Sequence, residues 1–167
     1  MLFMPFTFIY RQQGFTLVEL VMTMVVVGIL AIVVLPKFAN VNDFEAVGYA
    51  DQLQSVFRYA QKTAVAQRRL VYLDFGVQPP TLSVASSSTT CAAGTAMAFP
   101  GGSPALPDTM VTVQSSGDTK ICFDGLGRPY APTFTALTTA LTVTVKYEDG
   151  STAKTFTVEP ETGYVHE

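Results

Sequence analysis

The chain of 167 residues contains no tryptophan, a single histidine, His166, and two cysteines, Cys91 and Cys122. These scarcities exclude much chemistry. One His and two distant Cys cannot supply the four nitrogen and sulfur ligands of a zinc site. Asp108, Asp118 and Asp124 fall in no Asp-x-Asp-x-Asp-Gly run, so a calcium loop is not expected. No Cys-x-x-Cys offers a dithiol redox pair. No Gly-x-Ser-x-Gly occurs, and a Ser-His-Asp triad could draw only on His166. No catalytic residue, metal or cofactor is therefore expected, and the chain does not read as an enzyme. Charge is also sparse, at 14% of residues with a formal net of -3. Phosphate binding needs clustered Lys and Arg. Arg68-Arg69 is the only adjacent basic pair, so nucleic acid is not an expected partner.

What the chain has instead is apolar surface, 49% of residues, unevenly spread. From Phe15 to Leu35 every residue is apolar or small except Glu19 and two threonines. At ~1.5 Å per residue such a helix is about 30 Å long, enough for a bilayer core. It outruns the apolar part of a secretory signal, about 7–15 residues. Leu35-Pro36-Lys37-Phe38 follows it and is no small-x-small cleavage site, so the segment is expected to stay. Arg11 before it places the N-terminal side in the cytoplasm and residues 36–167 outside. Glu19 is anomalous, because an acid at the centre of a spanning helix costs roughly 2.5–3.5 kcal/mol, less near its end. From the residues alone two readings are open: the carboxylate reaches the headgroups, or it meets a positive partner in an assembled state.

Gly14-Phe15-Thr16-Leu17-Val18-Glu19-Leu20, followed by the apolar run, resembles the class III leader junction of type IV pilins and pseudopilins. The resemblance implies that a prepilin peptidase cuts between Gly14 and Phe15 and methylates the new amine of Phe15. It implies that Glu19 pairs with the N-terminal amine of a neighbouring subunit during assembly. Pro36 matches a proline common at this place in such helices. Residues 1–14 depart from the usual short, basic leader, since they hold one Arg. They read as a leader to be removed.

After Pro36 the pattern becomes amphipathic. Tyr49, Leu53, Val56, Phe57, Ala60 and Ala64 keep a 3–4 spacing, with Asp51, Gln52, Gln54, Arg58, Gln61 and Lys62 between them. This predicts a helix ending near Arg68-Arg69, whose charges suit a last turn. Pro36 and Gly48 are candidate kinks. A near-continuous helix from Phe15 to Arg69 would span ~80 Å, too long to be buried in one head domain. From Leu70 the period becomes two. Strands are predicted at Leu70–Phe75, Thr81–Ala85, Thr109–Gln114 and Lys120–Asp124. A hairpin is predicted from Leu141–Tyr147 through Glu148-Asp149-Gly150-Ser151 to Lys154–Glu159, with a last short strand at Tyr164 and Val165. Ser86–Thr90 and Pro100–Pro104, within a patternless stretch over 86–108, read as exposed loops. The expected fold class is α+β: a long N-terminal helix, half transmembrane and half amphipathic, packed on an antiparallel β-sheet head. The expected divisions are a leader at 1–14, a transmembrane and assembly helix at 15–36, an amphipathic half at 37–69 and a β-rich head at 70–167.

Outside the cytoplasm two thiols pair more often than they stay free. A Cys91–Cys122 disulfide would close a loop of about 32 residues and contribute roughly 3–4 kcal/mol. The alternative is a buried free Cys122 and an exposed Cys91. Phe123-Asp124-Gly125-Leu126-Gly127-Arg128-Pro129 reads as a tight turn after a strand. A phosphate-cradling loop would need a following helix, which Pro129-Tyr130-Ala131-Pro132 forbids. The same stretch resembles the turn in the heads of H-type minor pseudopilins of type II secretion and of FimT-like minor pilins. Pro160-Glu161-Thr162-Gly163-Tyr164-Val165 resembles their closing turn, and a mannose-sensitive haemagglutinin-type minor pilin is a near alternative. The resemblance implies a minor pilin or pseudopilin, held in the inner membrane with its head in the periplasm and then drawn into a filament. Its implied partners are other pilin subunits, the prepilin peptidase, the inner-membrane assembly platform and membrane lipid. The alternatives are a secretion pseudopilin and a tip module that binds DNA or a surface through the 86–108 loop.

Overall fold

The computed structural model describes residues 14–38, 41–87, 89–105 and 112–167, with side chains described except at 33–38 and 41–43. It divides into two compact units, residues 1–40 and 41–167.

The first unit holds helix α1, Leu17–Phe38. Thr16 caps it: its Oγ1 accepts the Glu19 N–H at 3.3 Å, and its carbonyl accepts the Leu20 N–H. A Thr followed three residues later by Glu is the capping-box pattern, a start signal that the spacing carries and that the apolar reading passed over. Leu17, Val21, Val25, Ile29 and Ile32 are all exposed, and so are Leu20, Met24 and Val27 on other faces. A helix apolar all round is built for lipid or for a protein bundle, not for water. Side chains of α1 are described as far as Ile32. Among the described residues no helix is long and apolar enough to cross a membrane.

The second unit opens with α2, Val41–Gln67. Residues 39–40, where the expected continuous helix would join its halves, lie outside the described residues. Gly48 does not interrupt α2. Every residue of the predicted packed face, from Tyr49 to Ala64, is buried. The helix stops before the two arginines rather than on them. The Arg69 N–H bonds the Ala64 carbonyl and the Arg68 N–H bonds that of Val65, with Arg68 at φ 50°. That is a Schellman C-cap, with arginine where glycine is usual.

Among the described residues nine strands follow: β1 Val71–Asp74, β2 Thr81–Val84, β3 Thr95–Met97, β4 Thr112–Ser115, β5 Lys120–Phe123, β6 Pro129–Tyr130, β7 Leu141–Lys146, β8 Thr152–Val158 and β9 Val165–His166. All pairings are antiparallel. They form a five-stranded sheet in the order β3-β2-β1-β5-β6 and a four-stranded sheet in the order β4-β7-β8-β9. α2 packs on both sheets, against β1 and β5 of one and β7, β8 and β9 of the other. The α+β architecture expected from the sequence is thus present. In β7, Leu141, Val143 and Val145 are buried and alternate with half-buried Thr142, Thr144 and Lys146, as period two requires. β1 is buried on both faces: Val71 and Leu73 join the α2 core, while Tyr72 lies in a second cluster with Leu70, Ala85, Cys91 and Cys122.

Three expectations change. The 86–108 stretch is not wholly loop, because β3 adds an edge strand to β2. Phe99 is buried and faces Tyr59 at 6.3 Å, and Pro104 is buried as well. A three-residue edge strand is too short to show a period. The strand predicted at Thr109–Gln114 is found as Thr112–Ser115, with 109–111 outside the described residues. The last strand begins at Val165, after Tyr164 rather than on it. Among the described residues, all buried hydrophobic residues fall between Ala46 and Val165, in the second unit.

Candidate functional site: a leader junction and a motif-built head

Gly14 and Phe15 precede α1 in non-helical backbone, and Phe15 is 75% exposed. Thr16 starts the helix immediately after them, so the Gly14–Phe15 peptide bond lies outside the helical hydrogen-bond ladder. Glu19 is exposed, and among the described residues its carboxylate has neither an ion pair nor a hydrogen-bond partner. It sits in the first turn, where the helix dipole favours negative charge.

Cys91 and Cys122 are bonded, with Cα atoms 5.8 Å apart, which settles the pairing left open above. The bond ties the loop between β2 and β3 to the centre of β5. Replacing both cysteines by alanine is expected to lower stability by roughly 3–4 kcal/mol, because the open chain gains loop entropy. Chemical denaturation of residues 41–167 with and without the pair measures the difference. A loss below about 1 kcal/mol would show that the buried cluster holds this loop unaided.

The Phe123–Pro129 stretch is a turn built by one carboxylate. Asp124 Oδ1 accepts the N–H groups of Leu126 and Arg128, both at 2.9 Å. Its Oδ2 accepts Arg128 Nε and pairs with Arg128 Nη2, both at 3.0 Å. Asp124 thereby raises the pKa of the Arg128 guanidinium, chiefly by that hydrogen bond. The turn joins β5 to β6 with Cys122 opposite Tyr130. Gly127 adopts φ 85°, which only glycine takes without cost.

The two sequence stretches that resembled the same family meet in space. Gln61 Nε2 on α2 donates to the Thr162 carbonyl at 2.8 Å and to that of Gly127 at 3.4 Å. Gly163, at φ 66°, lies so close that a Cβ would strike the Gly127 carbonyl oxygen. The final strand is tied down further. Arg58 Nε and Nη2 both donate to the Val165 carbonyl, at 3.2 and 3.1 Å. Lys154 bridges Asp51 at 2.6 Å and Glu167 at 2.7 Å. Hydrogen bonding to Glu159 raises the His166 pKa, so this pair holds below the usual imidazole range and is lost as pH rises through the raised value. The motif residues therefore act in structure: they close one end of the head against α2. The sequence carries the turn chemistry but not Gln61 as the clasp, because a polar residue on a helix face gives no sign of its distant partner.

Comparison with known proteins agrees. The prokaryotic N-terminal methylation motif matches residues 9–35, and the type II transport protein GspH family matches residues 49–162. No curated protein is significantly similar over the chain. Two crystal structures of the type IV minor pilin FimU of Pseudomonas aeruginosa strain PAO1 resemble it in fold, each at 16% identity. Their TM-scores are 0.49 and 0.50, covering 71% of this chain and 84% and 89% of theirs. Pilins and pseudopilins are structural subunits rather than enzymes. With the methylation motif at its N-terminal side and the family domain spanning most of the head, the chain belongs to the GspH family, as a minor pilin or pseudopilin subunit of a pilus-like filament.

Proposed function

We propose that the subunit is made as a precursor, cut between Gly14 and Phe15 by a prepilin peptidase and methylated on the amine of Phe15. It is held in the inner membrane by the apolar run and then passed by an assembly platform into the filament. Its role is structural, with no reaction of its own. The observation that carries this reading is the junction itself: an exposed Gly14–Phe15 bond directly before a capped helix whose described residues are apolar on every face. α1 runs 22 residues, about 33 Å at ~1.5 Å per residue, and in sequence the apolar run continues through Val33, Val34 and Leu35. That length supports a single membrane span from 15 to 36, with the head of residues 37–167 outside the cytoplasm. The disulfide agrees with that side of the membrane, where oxidation persists.

Glu19 has a defined task in this reading. Within a packed bundle an unpaired carboxylate is strongly unfavourable, and a neighbour's Phe15 amine compensates it. The cut creates that amine, so cleavage and assembly are coupled by charge. Co-expression with a prepilin peptidase tests the first step. Intact mass should fall by residues 1–14 and rise by one methyl group, and Gly14→Ala should block the cut. An unchanged mass would make the chain a plain membrane-anchored domain.

A further inference from the structure

The head has a cleft of about 350 Å³ beside the Asp124 turn, to which no role has been given above. It is lined by Arg68 and Arg69 after α2, Ser86 and Ser87 after β2, Asp124 of the turn, Tyr130 at the end of β6 and Phe134 beyond it. Among the described residues, the two non-glycine residues with positive φ are Arg68 at 50° and Phe134 at 59°, and both line this cleft. Left-handed backbone is costly for a side chain as bulky as phenylalanine, on the order of 1–3 kcal/mol, and such strain gathers at binding sites. Here it sets the Phe134 ring parallel to Tyr130, with centroids 5.0 Å apart and planes 14° from parallel. Both rings rest on the cluster containing Leu70 and the Cys91–Cys122 disulfide, so the wall is fixed before any ligand arrives.

The lining is also cationic. Neither Arg68 nor Arg69 makes an ion pair among the described residues, and both are exposed. The carboxylate that lines the cleft, Asp124, is already committed to Arg128, to the Tyr130 hydroxyl and to two backbone N–H groups of its own turn. The Ser87 hydroxyl is shared with Thr89, while that of Ser86 makes no hydrogen bond among the described residues. An otherwise acidic chain thus offers one small site with two free guanidinium groups, a hydroxyl and an aromatic wall. The formal charge of -3 leaves no basic track for a polyanion, so recognition stops at a single anionic unit.

We propose that this cleft binds an acidic sugar, a uronate residue. Its carboxylate would take the paired donors of an arginine. The apolar face of its ring would lie on the Tyr130–Phe134 wall, and a ring hydroxyl would meet Ser86. The cavity lies at the small end of ligand sites, about 300–1,000 Å³, which suits one or two rings. The inference rests on the head's geometry and not on cleavage or assembly.

Calorimetric titration of the full chain in detergent tests it, with galacturonate and glucuronate as probes. Their neutral parent sugars, acetate and a short single-stranded DNA serve as comparisons. The uronates are expected to bind about tenfold or more tightly than the neutral sugars and than acetate. Arg69→Gln and Phe134→Gly should each weaken uronate binding about tenfold. Glycine accepts the φ of position 134 without strain, so Phe134→Gly removes the ring and keeps the turn. An unchanged thermal midpoint for that variant confirms that any loss is local, and Arg69→Gln on an exposed side chain serves as the independent arm. Absence of uronate binding overturns the proposal. So do equal binding of neutral sugar or acetate, parental affinity in both variants, or DNA binding in place of uronate.

Discussion

Glu19→Ala is expected to remove the subunit from filaments while leaving membrane insertion and leader cleavage intact. The expectation has two physical parts. Removing a charge from an apolar helix lowers the insertion cost, by up to about 2.5–3.5 kcal/mol on insertion scales, so the membrane fraction should not fall. On the proposed pairing, losing the carboxylate would leave a neighbour's amine without its counter-charge in the bundle, and stranding one partner of a buried pair costs about 3–5 kcal/mol. Per subunit that is a population ratio of over a hundredfold, which sheared filaments probed for this chain would register as absence. The structure adds a rival explanation. Glu19 occupies the third helical position after the Thr16 cap, where a carboxylate or an amide can complete a capping box. Glu19→Gln separates the two. Glutamine keeps the capping geometry and loses the charge, so it should fail as alanine does. Parental incorporation of the glutamine variant would sink the ion pair and leave capping as the role of Glu19.

Phe57→Ala is expected to destabilise the head by about 3–5 kcal/mol, with the upper part of that range favoured. Phe57 is fully buried on α2, with its ring centroid 4.9 Å from Phe75, which follows β1, and 5.2 Å from Phe156 on β8. Phe75 extends from β1 of one sheet and Phe156 lies in β8 of the other, so one side chain joins the helix to both layers. Truncation removes two aromatic contacts of about 0.5–1.5 kcal/mol each in addition to buried area. It also leaves a void that α2 cannot close without sliding from one sheet. A domain of this size holds only about 5–15 kcal/mol in total, so the variant should sit near its unfolding threshold at 37 °C. Urea denaturation of residues 41–167 reads the change. A loss under about 1.5 kcal/mol would mean that the two sheets repack around the gap.

Short-range and long-range interactions left different marks in the sequence. Whatever rests on neighbours in the chain was legible. The Tyr49–Ala64 face is written in a 3–4 spacing, and the β7–β8 hairpin in a period of two around Asp149-Gly150. The resemblance to the methylation motif needs only seven consecutive residues, Gly14 to Leu20. The disulfide was legible in part, since compartment and count favour pairing but cannot place two Cα atoms within bridging distance. The strand β3 was missed, since three residues beside Gly94 carry no period and exist as a strand because β2 offers an open edge.

The sequence by itself therefore determined the helices, the main strands, the turn chemistry of Asp124 and Gly127, and the methylation motif at its N-terminal side. Each of these depends on backbone preference or on contacts within a few residues. Tertiary structure alone decided that β1 is covered on both faces, that Gln61 clasps two turns far apart in sequence, and that Arg68, Arg69, Tyr130 and Phe134 share a cleft. Those meetings follow from how two sheets and one helix pack. Packing is a property of shape and volume across the whole head, which no local pattern of residue types records.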